Sequence, residues 1–249
     1  MTELYTRSWI EENLSSLESW KQQAFEDFAT MIGDHTYPCV PGRQGFMEDE
    51  LRYGFLGDPR NEETYQQFAN VVKEYTLCSR DTGKYASLAL LFYTPEEMKQ
   101  HFNDESYEQL FWSVLNGVSK LDEKEWPDSI PKDPDDHEWE FCFHGEPYFA
   151  FCATPAHQLR KSRHFSHFLI ALQPRWVFDE INDTTAFGRK IKQVIRDRLT
   201  NYDKIPVHPS LKWYGQEDNY EWKQYYLRDD ETIPTKCPFT RFKQKITKR

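Results

Sequence analysis

Residues 139–152 read WEFCFHGEPYFAFC, which is two aromatic-rich runs separated by His144-Gly145-Glu146-Pro147. Aromatic side chains favour the half-buried surface of a β-strand, and Gly and Pro favour turns. Two such runs joined by a short turn segment are typical of a β-hairpin. The sequence therefore predicts a pair of antiparallel strands here.

Other segments predict the elements around this hairpin. Residues 86–93 (ASLALLFY) form an almost uncharged run of strand length, and residues 166–174 (SHFLIALQP) supply a further strand. Apolar side chains at steps of three and four predict four helices, and a capping box predicts a fifth, short one. The helices are a long N-terminal one within residues 1–34 that ends at Gly33, one after Asp58-Pro59, one over 106–117, one over 185–202 and the short one from Thr94. We expect a single α+β domain over residues 1–249, with helices packed on a mostly antiparallel sheet.

Two segments carry biased charge. Residues 121–138 hold eight acidic residues, two Lys and three Pro, which predicts an irregular loop. Trp126 and Trp139 can pin its ends, so the loop is either a lid over a pocket or an insertion. Residues 236–249 form a basic tail with six Lys/Arg and no acid, either a solvated end or a docking element.

Composition excludes several classes of protein. The 249 residues include 41 acidic and 31 basic ones, and a net charge of −10 disfavours nucleic-acid binding. The five cysteines are scattered without a CxxC pair, which disfavours a disulfide framework or structural zinc. The sequence shows neither a membrane-spanning apolar run nor a signal peptide, so we expect a cytoplasmic protein without membrane contact. Hydrolase, nucleotide and dinucleotide motifs are absent from the sequence.

The segment 154–164 concentrates candidate functional groups in an otherwise acidic chain. It contains His157 and His164 at its two ends, with the cations Arg160, Lys161 and Arg163 between them. Guanidinium groups pair with carboxylates or phosphates of a ligand, whereas the alternative is that these cations bridge to the acidic loop. A neutral imidazole is a common metal ligand, but a single His is more often a hydrogen-bonded structural residue.

A second candidate is the Pro- and Gly-rich segment 37–45, which is expected to lie outside regular structure with Cys39 at its centre. Its thiol is either a nucleophile, a metal ligand or an inert buried group. Asp179 and Glu221 lie beside aromatic residues, and carboxylates facing an aromatic wall suit a guanidinium ligand.

A series of short motifs, in conserved order along residues 35–240, resembles the YqcI/YcgG family. The motifs are Pro38-Cys39, Phe111-Trp112, Asp122 with Trp126-Pro127, Trp139-Glu140-Phe141, Gly145-Glu146-Pro147-Tyr148-Phe149, Thr154-Pro155-Ala156-His157, Arg160, Ser162-Arg163, Gln173-Pro174-Arg175-Trp176-Val177-Phe178, Tyr202-Asp203, Pro209, Tyr214-Gly215 and Glu221-Trp222-Lys223-Gln224-Tyr225. Members of this family include haem-dependent N-oxygenases that hydroxylate guanidine nitrogens of arginine-like compounds.

The resemblance implies haem chemistry for particular residues. His157 would be the proximal iron ligand, with Cys39 as the competing candidate, and the haem would be of b type because CxxCH is missing. Arg160 and Arg163 would neutralise the haem propionates, and Ser162 would position one of them. The residues implied to line the macrocycle or substrate are Trp112, Trp139 and Trp176, and those implied to hold a guanidino substrate are Glu146, Asp179 and Glu221.

The same resemblance implies O₂ and an external electron donor as reaction partners. Two other functions are compatible with the sequence. One is a non-catalytic haem or small-molecule binding protein of the same fold, and the other is a cofactor-free interaction protein that uses the basic tail and the acidic loop.

Overall fold

A six-stranded sheet forms the centre of the protein. The computed structural model describes residues 3–179, 186–212 and 217–242. The strands are β1 (Tyr5–Thr6), β2 (Leu51–Leu56), β3 (Ser87–Phe92), β4 (Phe141–Phe143), β5 (Glu146–Ala153) and β6 (Leu169–Pro174). Their order is β1-β2-β3-β6-β5-β4, and β2 and β3 are parallel while the other neighbours are antiparallel. This confirms the predicted α+β fold with a mostly antiparallel sheet.

The predicted hairpin is β4 and β5. Phe141 pairs with Tyr148 and Phe143 with Glu146, which leaves a two-residue turn. Both turn residues, His144 (φ 52°) and Gly145 (φ 81°), have positive φ. A turn of this kind matches the right-handed twist of the strands that it joins.

Eight helices flank the sheet in the described part of the chain. They are α1 (Arg7–Asn13), α2 (Ser19–Gly33), α3 (Val40–Met47), α4 (Glu62–Cys78), α5 (Glu96–His101), α6 (Asp104–Ser119), α7 (Ala186–Asp203) and α8 (Trp222–Tyr225). The helices expected from the spacing of apolar residues correspond to α2, α4, α6 and α7, and the short helix expected after Thr94 corresponds to α5.

The long N-terminal helix was predicted wrongly as one element. A 3-10 turn at Leu14–Ser16 and an extended Leu17 (ψ 157°) separate α1 from α2. Polar side chains bind the backbone at this point, since Asn13 donates to the Trp9 carbonyl (2.8 Å) and Ser16 to the Asn13 carbonyl (2.7 Å). Such side-chain bonds compete with helix continuation.

The segment 37–45 was also predicted wrongly, because it contains the start of α3. Cys39 is the N-cap residue, and its sulfur accepts a hydrogen bond from the Gly42 amide (3.4 Å). Pro41 stands in the first turn, where a missing amide hydrogen costs no helical hydrogen bond.

Both faces of the sheet are covered, and β3 shows how they divide. Leu88, Leu90 and Phe92 belong to a core built with α4 and α6, whereas Ala89 and Leu91 belong to a second core built with α2 and α3. We call these the α4/α6 face and the α2/α3 face. A strand buried on both sides explains the uninterrupted apolar run in the sequence.

The acidic loop 121–138 contains no helix or strand and belongs to the α4/α6 face. Trp126 stacks on Trp139 with ring centroids 6.2 Å apart, and Trp126 Nε1 donates to the Ile130 carbonyl (3.0 Å). The basic tail is attached there through Phe239, while residues 243–249 lie outside the described residues. Among the described helices, none combines the length and apolar character needed to cross a bilayer.

Candidate functional site

A mostly apolar cavity lies on the α2/α3 face of the sheet, where α7 also contributes to its wall. Its volume is about 280 Å³. Residues of β3, β5 and β6 form its floor, Phe28 and Ile32 of α2 form one side, and Ile195 and Leu199 of α7 form another. Ligand pockets in proteins commonly measure about 300–1000 Å³, so this cavity lies at the lower end of that range.

Helix α7 presents an apolar side to this cavity. Ile195 and Leu199 line it and remain half-buried, whereas the apolar residues Phe68, Val72 and Tyr75 of α4 are fully buried in a core. The apolar side of α7 therefore faces the cavity and not a packed protein core.

The thiol of Cys39 is one of the few reactive groups in the cavity wall. Burial raises its pKa, while the Gly42 amide and the positive charge of Arg163 act in the opposite direction. A Cβ atom at position 42 would lie 2.9 Å from the sulfur, so only glycine allows this close approach. A metal bound to a thiol deprotonates it outright, so the raised pKa is no obstacle to metal ligation.

Two buried guanidinium groups also line the cavity. Arg163 donates to the carbonyls of Cys152 (3.2 Å), Gln224 (3.0 Å) and Tyr225 (2.9 Å), and it lies 4.1 Å from the Phe151 ring centroid. Burial lowers the pKa of Arg163 to about 10. Arg160 donates to the carbonyls of Arg228 (2.7 Å) and Pro206 (3.2 Å).

Neutral carbonyls thus hold both guanidinium groups. Within the described ranges, neither group has a carboxylate oxygen within 4.0 Å. The cavity therefore carries two positive charges that are not neutralised by a direct ion pair.

Ser162 and Asp203 stand beside these cations in the wall. Asp203 ends α7, and its two carboxylate oxygens accept from the Ser162 amide (2.7 Å) and hydroxyl (2.9 Å). Burial raises the pKa of Asp203, and the Ser162 hydrogen bonds and the two arginines oppose that shift. The Tyr37 hydroxyl donates to the Ser162 carbonyl (3.1 Å), which fixes this group from the side of α2 and α3.

His157 does not line this cavity, and its side chain is completely buried elsewhere. Nδ1 lies 2.8 Å from Thr154 Oγ1, and Nε2 donates to the Leu227 carbonyl at 2.8 Å. Burial lowers the pKa of His157, which favours the neutral ring. With both nitrogens hydrogen-bonded, this imidazole connects the segment 154–164 to the C-terminal segment.

The same two segments share further contacts. The Asp229 carboxylate accepts from the amides of Gln158 (2.6 Å), Leu159 (2.9 Å) and Arg160 (2.8 Å). The cationic segment is thus anchored by residues about 70 positions away in the chain.

The three candidate tryptophans lie outside the cavity wall. Trp112 and Trp139 are buried in the core of the α4/α6 face, and Trp176 is half-buried with Arg80 5.3 Å from its ring centroid. The aromatic side chains that do line the cavity are Phe28, Tyr37, Phe149, Phe151 and Phe178. Two of them, Phe149 and Phe151, share one side of β5 by the two-residue period of a strand.

The three candidate substrate carboxylates also lie outside the cavity wall. Glu146 faces Arg80 at 3.6 Å, and Asp179 is exposed after a 3-10 turn. Glu221 is buried, accepts from Asn219 and Gln224, and has its pKa raised to about 8 by burial and by Glu140.

In the ranges that the structure covers, no cluster of three or more His, Cys, Asp or Glu side chains could hold a metal ion. An iron carried by a macrocycle needs only one or two protein ligands, and a cavity-lining thiol is one of the known kinds. Residues in the cavity wall that could hold such a cofactor are Cys39, His208, Arg160 and Arg163.

Comparisons with known proteins agree with the motifs. The model of the YqcI/YcgG family matches residues 28–240. The chain is 53% identical to YcgG of Bacillus subtilis (strain 168) over 98% of both chains, and 51% identical to YqcI of that organism over 100% of this chain and 99% of the relative. It is 32% identical to a Streptomyces lavendulae protein named putative N(omega)-hydroxy-L-arginine synthase DcsA, over 90% of this chain and 85% of the relative. No solved structure matches.

Proposed function

The chain belongs to the YqcI/YcgG family, and from this we propose that it is a haem-dependent monooxygenase that hydroxylates a guanidino nitrogen of an arginine-like small molecule. The name of the Streptomyces lavendulae relative supports the reaction, since hydroxy-arginine is the product of such a step. The haem and the site residues are our proposals.

The observation that carries the proposal is the cavity on the α2/α3 face. Its apolar walls suit a flat macrocycle, and Cys39 supplies a thiol in the wall. A thiolate ligand donates electron density to haem iron and favours cleavage of the O–O bond. The residues present therefore fit haem b.

This arrangement favours Cys39 over His157 as the iron ligand. Both nitrogens of His157 are occupied by Thr154 and Leu227, whereas Cys39 faces the cavity. To reach a metal, His157 would have to break two buried hydrogen bonds.

Arg160 and Arg163 would bind the two carboxylates of the macrocycle. They are buried, they line the cavity, and their described partners are uncharged carbonyls. Charge-assisted pairs with carboxylates would neutralise both cations.

The reaction needs O₂, two electrons and two protons for each turnover. One oxygen atom enters an N–H bond of the guanidino group to give N–OH, and the other leaves as water. A bound haem would supply the iron that activates O₂. The protein holds the substrate nitrogen near that centre and limits access of water through its apolar walls.

The test is the haem content and absorption spectrum of protein expressed with a haem precursor. We expect one haem per chain in the wild type and loss of the thiolate-type spectrum in Cys39→Ser. Cys78→Ser is the matched control, because Cys78 lies at the end of α4 on the other face of the sheet.

Product analysis with L-arginine, O₂ and an electron donor completes the test. A hydroxylated guanidine that depends on haem supports the proposal. Wild-type protein that takes up no haem would contradict it, and haem uptake without product would identify the non-catalytic binding protein instead.

A further inference from the structure

We infer that Asp203 is the carboxylate that binds the guanidino group of the substrate. This inference rests on the proposed function, because it names the anchor of the substrate in the same cavity. It replaces Glu146, Asp179 and Glu221 in that role.

Asp203 is the only carboxylate in the cavity wall among the residues that the structure describes. It is 5% exposed, at the C-terminal end of α7. The cavity otherwise offers cations, hydroxyls, the Cys39 thiol, the His208 imidazole, the Gln173 amide and apolar groups, and we expect none of these to form a charged pair with a guanidinium. A cationic ligand in this cavity therefore has one possible counter-charge in the described wall.

The hydrogen bonds of Asp203 leave it able to bind a guanidinium. Each oxygen accepts one bond from Ser162, and a carboxylate oxygen has two lone-pair sites. Both oxygens thus keep acceptor capacity, as a bidentate pair with a planar guanidinium requires. Because both bonds come from the same residue, they also fix the orientation of the carboxylate.

The charges around Asp203 lead to the same conclusion. No Lys, Arg or His nitrogen of the described chain lies within 4.0 Å of this buried carboxylate. Arg160 and Arg163 act on it only at longer range, and the proposed function assigns them to the carboxylates of the macrocycle. Asp203 is then the remaining buried charge, and burying an unpaired charge is costly. A substrate cation would balance it.

Asp203 and Cys39 line the same cavity. Tyr37 also lines it, and its hydroxyl donates to the carbonyl of Ser162, the residue that binds Asp203. The proposed substrate anchor and the proposed iron ligand therefore belong to one site.

The experiment compares L-arginine with L-citrulline, which has the same shape but an uncharged ureido group. Dissociation constants are measured by calorimetry on haem-loaded protein. We expect the wild type to bind arginine at least about 30-fold more tightly than citrulline, as for a buried charged pair. In Asp203→Asn, arginine binding should weaken by about the same factor, while citrulline binding changes by less than about threefold.

Ser162→Ala is the matched control. It removes the hydroxyl bond to Asp203 but keeps the carboxylate and the Ser162 amide bond. The preference for arginine should survive in this variant. A merely structural role of Asp203 would instead weaken arginine and citrulline equally in Asp203→Asn, and that result would overturn the inference.

The wild type alone also tests the inference if Asp203→Asn does not fold. Equal affinity of the wild type for arginine and citrulline would overturn it without any variant. Failure of the proposed function has a different signature, namely no haem uptake and no hydroxylated product. In that case the same calorimetry is done on the chain without haem, and a preference for arginine that depends on Asp203 would still support the binding role.

Discussion

Replacing His157 with alanine distinguishes a structural imidazole from an iron ligand. The substitution removes a fully buried ring that bonds Thr154 and Leu227 and lies 5.2 Å from the Tyr226 ring centroid. The Leu227 carbonyl would lose its partner, which costs about 1–3 kcal/mol for a buried polar group. The cavity left by the ring adds a cost of about 2 kcal/mol or more.

We therefore expect His157→Ala to lower the free energy of unfolding by about 3–5 kcal/mol. For a chain of this size that corresponds to a fall in Tm of roughly 10 °C. Urea unfolding followed by circular dichroism measures the loss. Haem content per folded chain, determined on the same samples at low temperature, should equal that of the wild type.

His164→Ala is the matched control for this prediction. His164 is exposed and makes one bond, from Nδ1 to the His157 carbonyl (2.7 Å). Its loss should cost less than about 1 kcal/mol. If His157→Ala instead kept wild-type stability and lost its haem, the structural reading of this imidazole would be wrong.

Three further predictions concern the cysteine loop, the C-terminal segment and pH. Gly42→Ala places a Cβ atom 2.9 Å from the Cys39 sulfur, so it should weaken haem binding, measured by titration, about 10–100-fold. Gly33→Ala is the control, because its Cβ atom would have its nearest contact at 3.8 Å and should leave haem binding unchanged. Asp229→Asn weakens an acceptor of three amide bonds and should lower the free energy of unfolding by about 2 kcal/mol in urea; an unchanged value would contradict this role. Burial lowers the pKa of His167 to about 4, so between pH 4 and about 6.5 the unfolded chain binds more protons than the folded chain. The free energy of unfolding should therefore be unaffected by this residue above a pH of about 6.5 and should fall as the pH drops towards 4. The loss is at most about 3 kcal/mol before solvent screening, and His167→Gln should flatten the measured slope between those pH values.

Local patterns predicted most of the fold. The hairpin of β4 and β5 could be predicted because it depends only on residues that are neighbours in the chain. The alternation of side chains indicates the two strands, and the two turn residues between them, His144 and Gly145, have positive φ. The split between α1 and α2 was not visible in the periodicity, because apolar spacing continues across Leu14 and Leu17. Side-chain bonds to the backbone decide the break there.

The start of α3 was missed for a related reason. Pro41 and Gly42 are usually found outside helices, but Pro is tolerated in the first turn and Gly42 makes space for the Cys39 sulfur. A cysteine as N-cap residue is not one of the preferred types, so the sequence carried no ordinary helix start signal.

The candidate site depended on contacts that no local pattern records. Nε2 of His157 has its partner in the Leu227 carbonyl, 70 residues away, while Nδ1 is bound by the nearby Thr154 hydroxyl. Only the local partner could be suspected from the sequence. The three tryptophans were selected for their size, but whether a residue faces the cavity depends on the face of the sheet that it reaches. Arg160, Ser162 and Arg163 lie together in the cavity wall because they are close in sequence.

The charge balance of the cavity connects these findings. The segment 154–164 is fixed by Asp229 and Leu227, so Arg160 and Arg163 are held in the cavity wall before any ligand binds. Together with Asp203 they give the described wall two positive charges and one negative charge. Haem, with its two carboxylates, would neutralise the two arginines, and the guanidinium of the substrate would then neutralise Asp203. Without haem, the guanidinium would enter a cavity with a net positive charge. Substrate affinity should therefore rise after haem is bound, and this order of binding follows from the placement of three buried side chains.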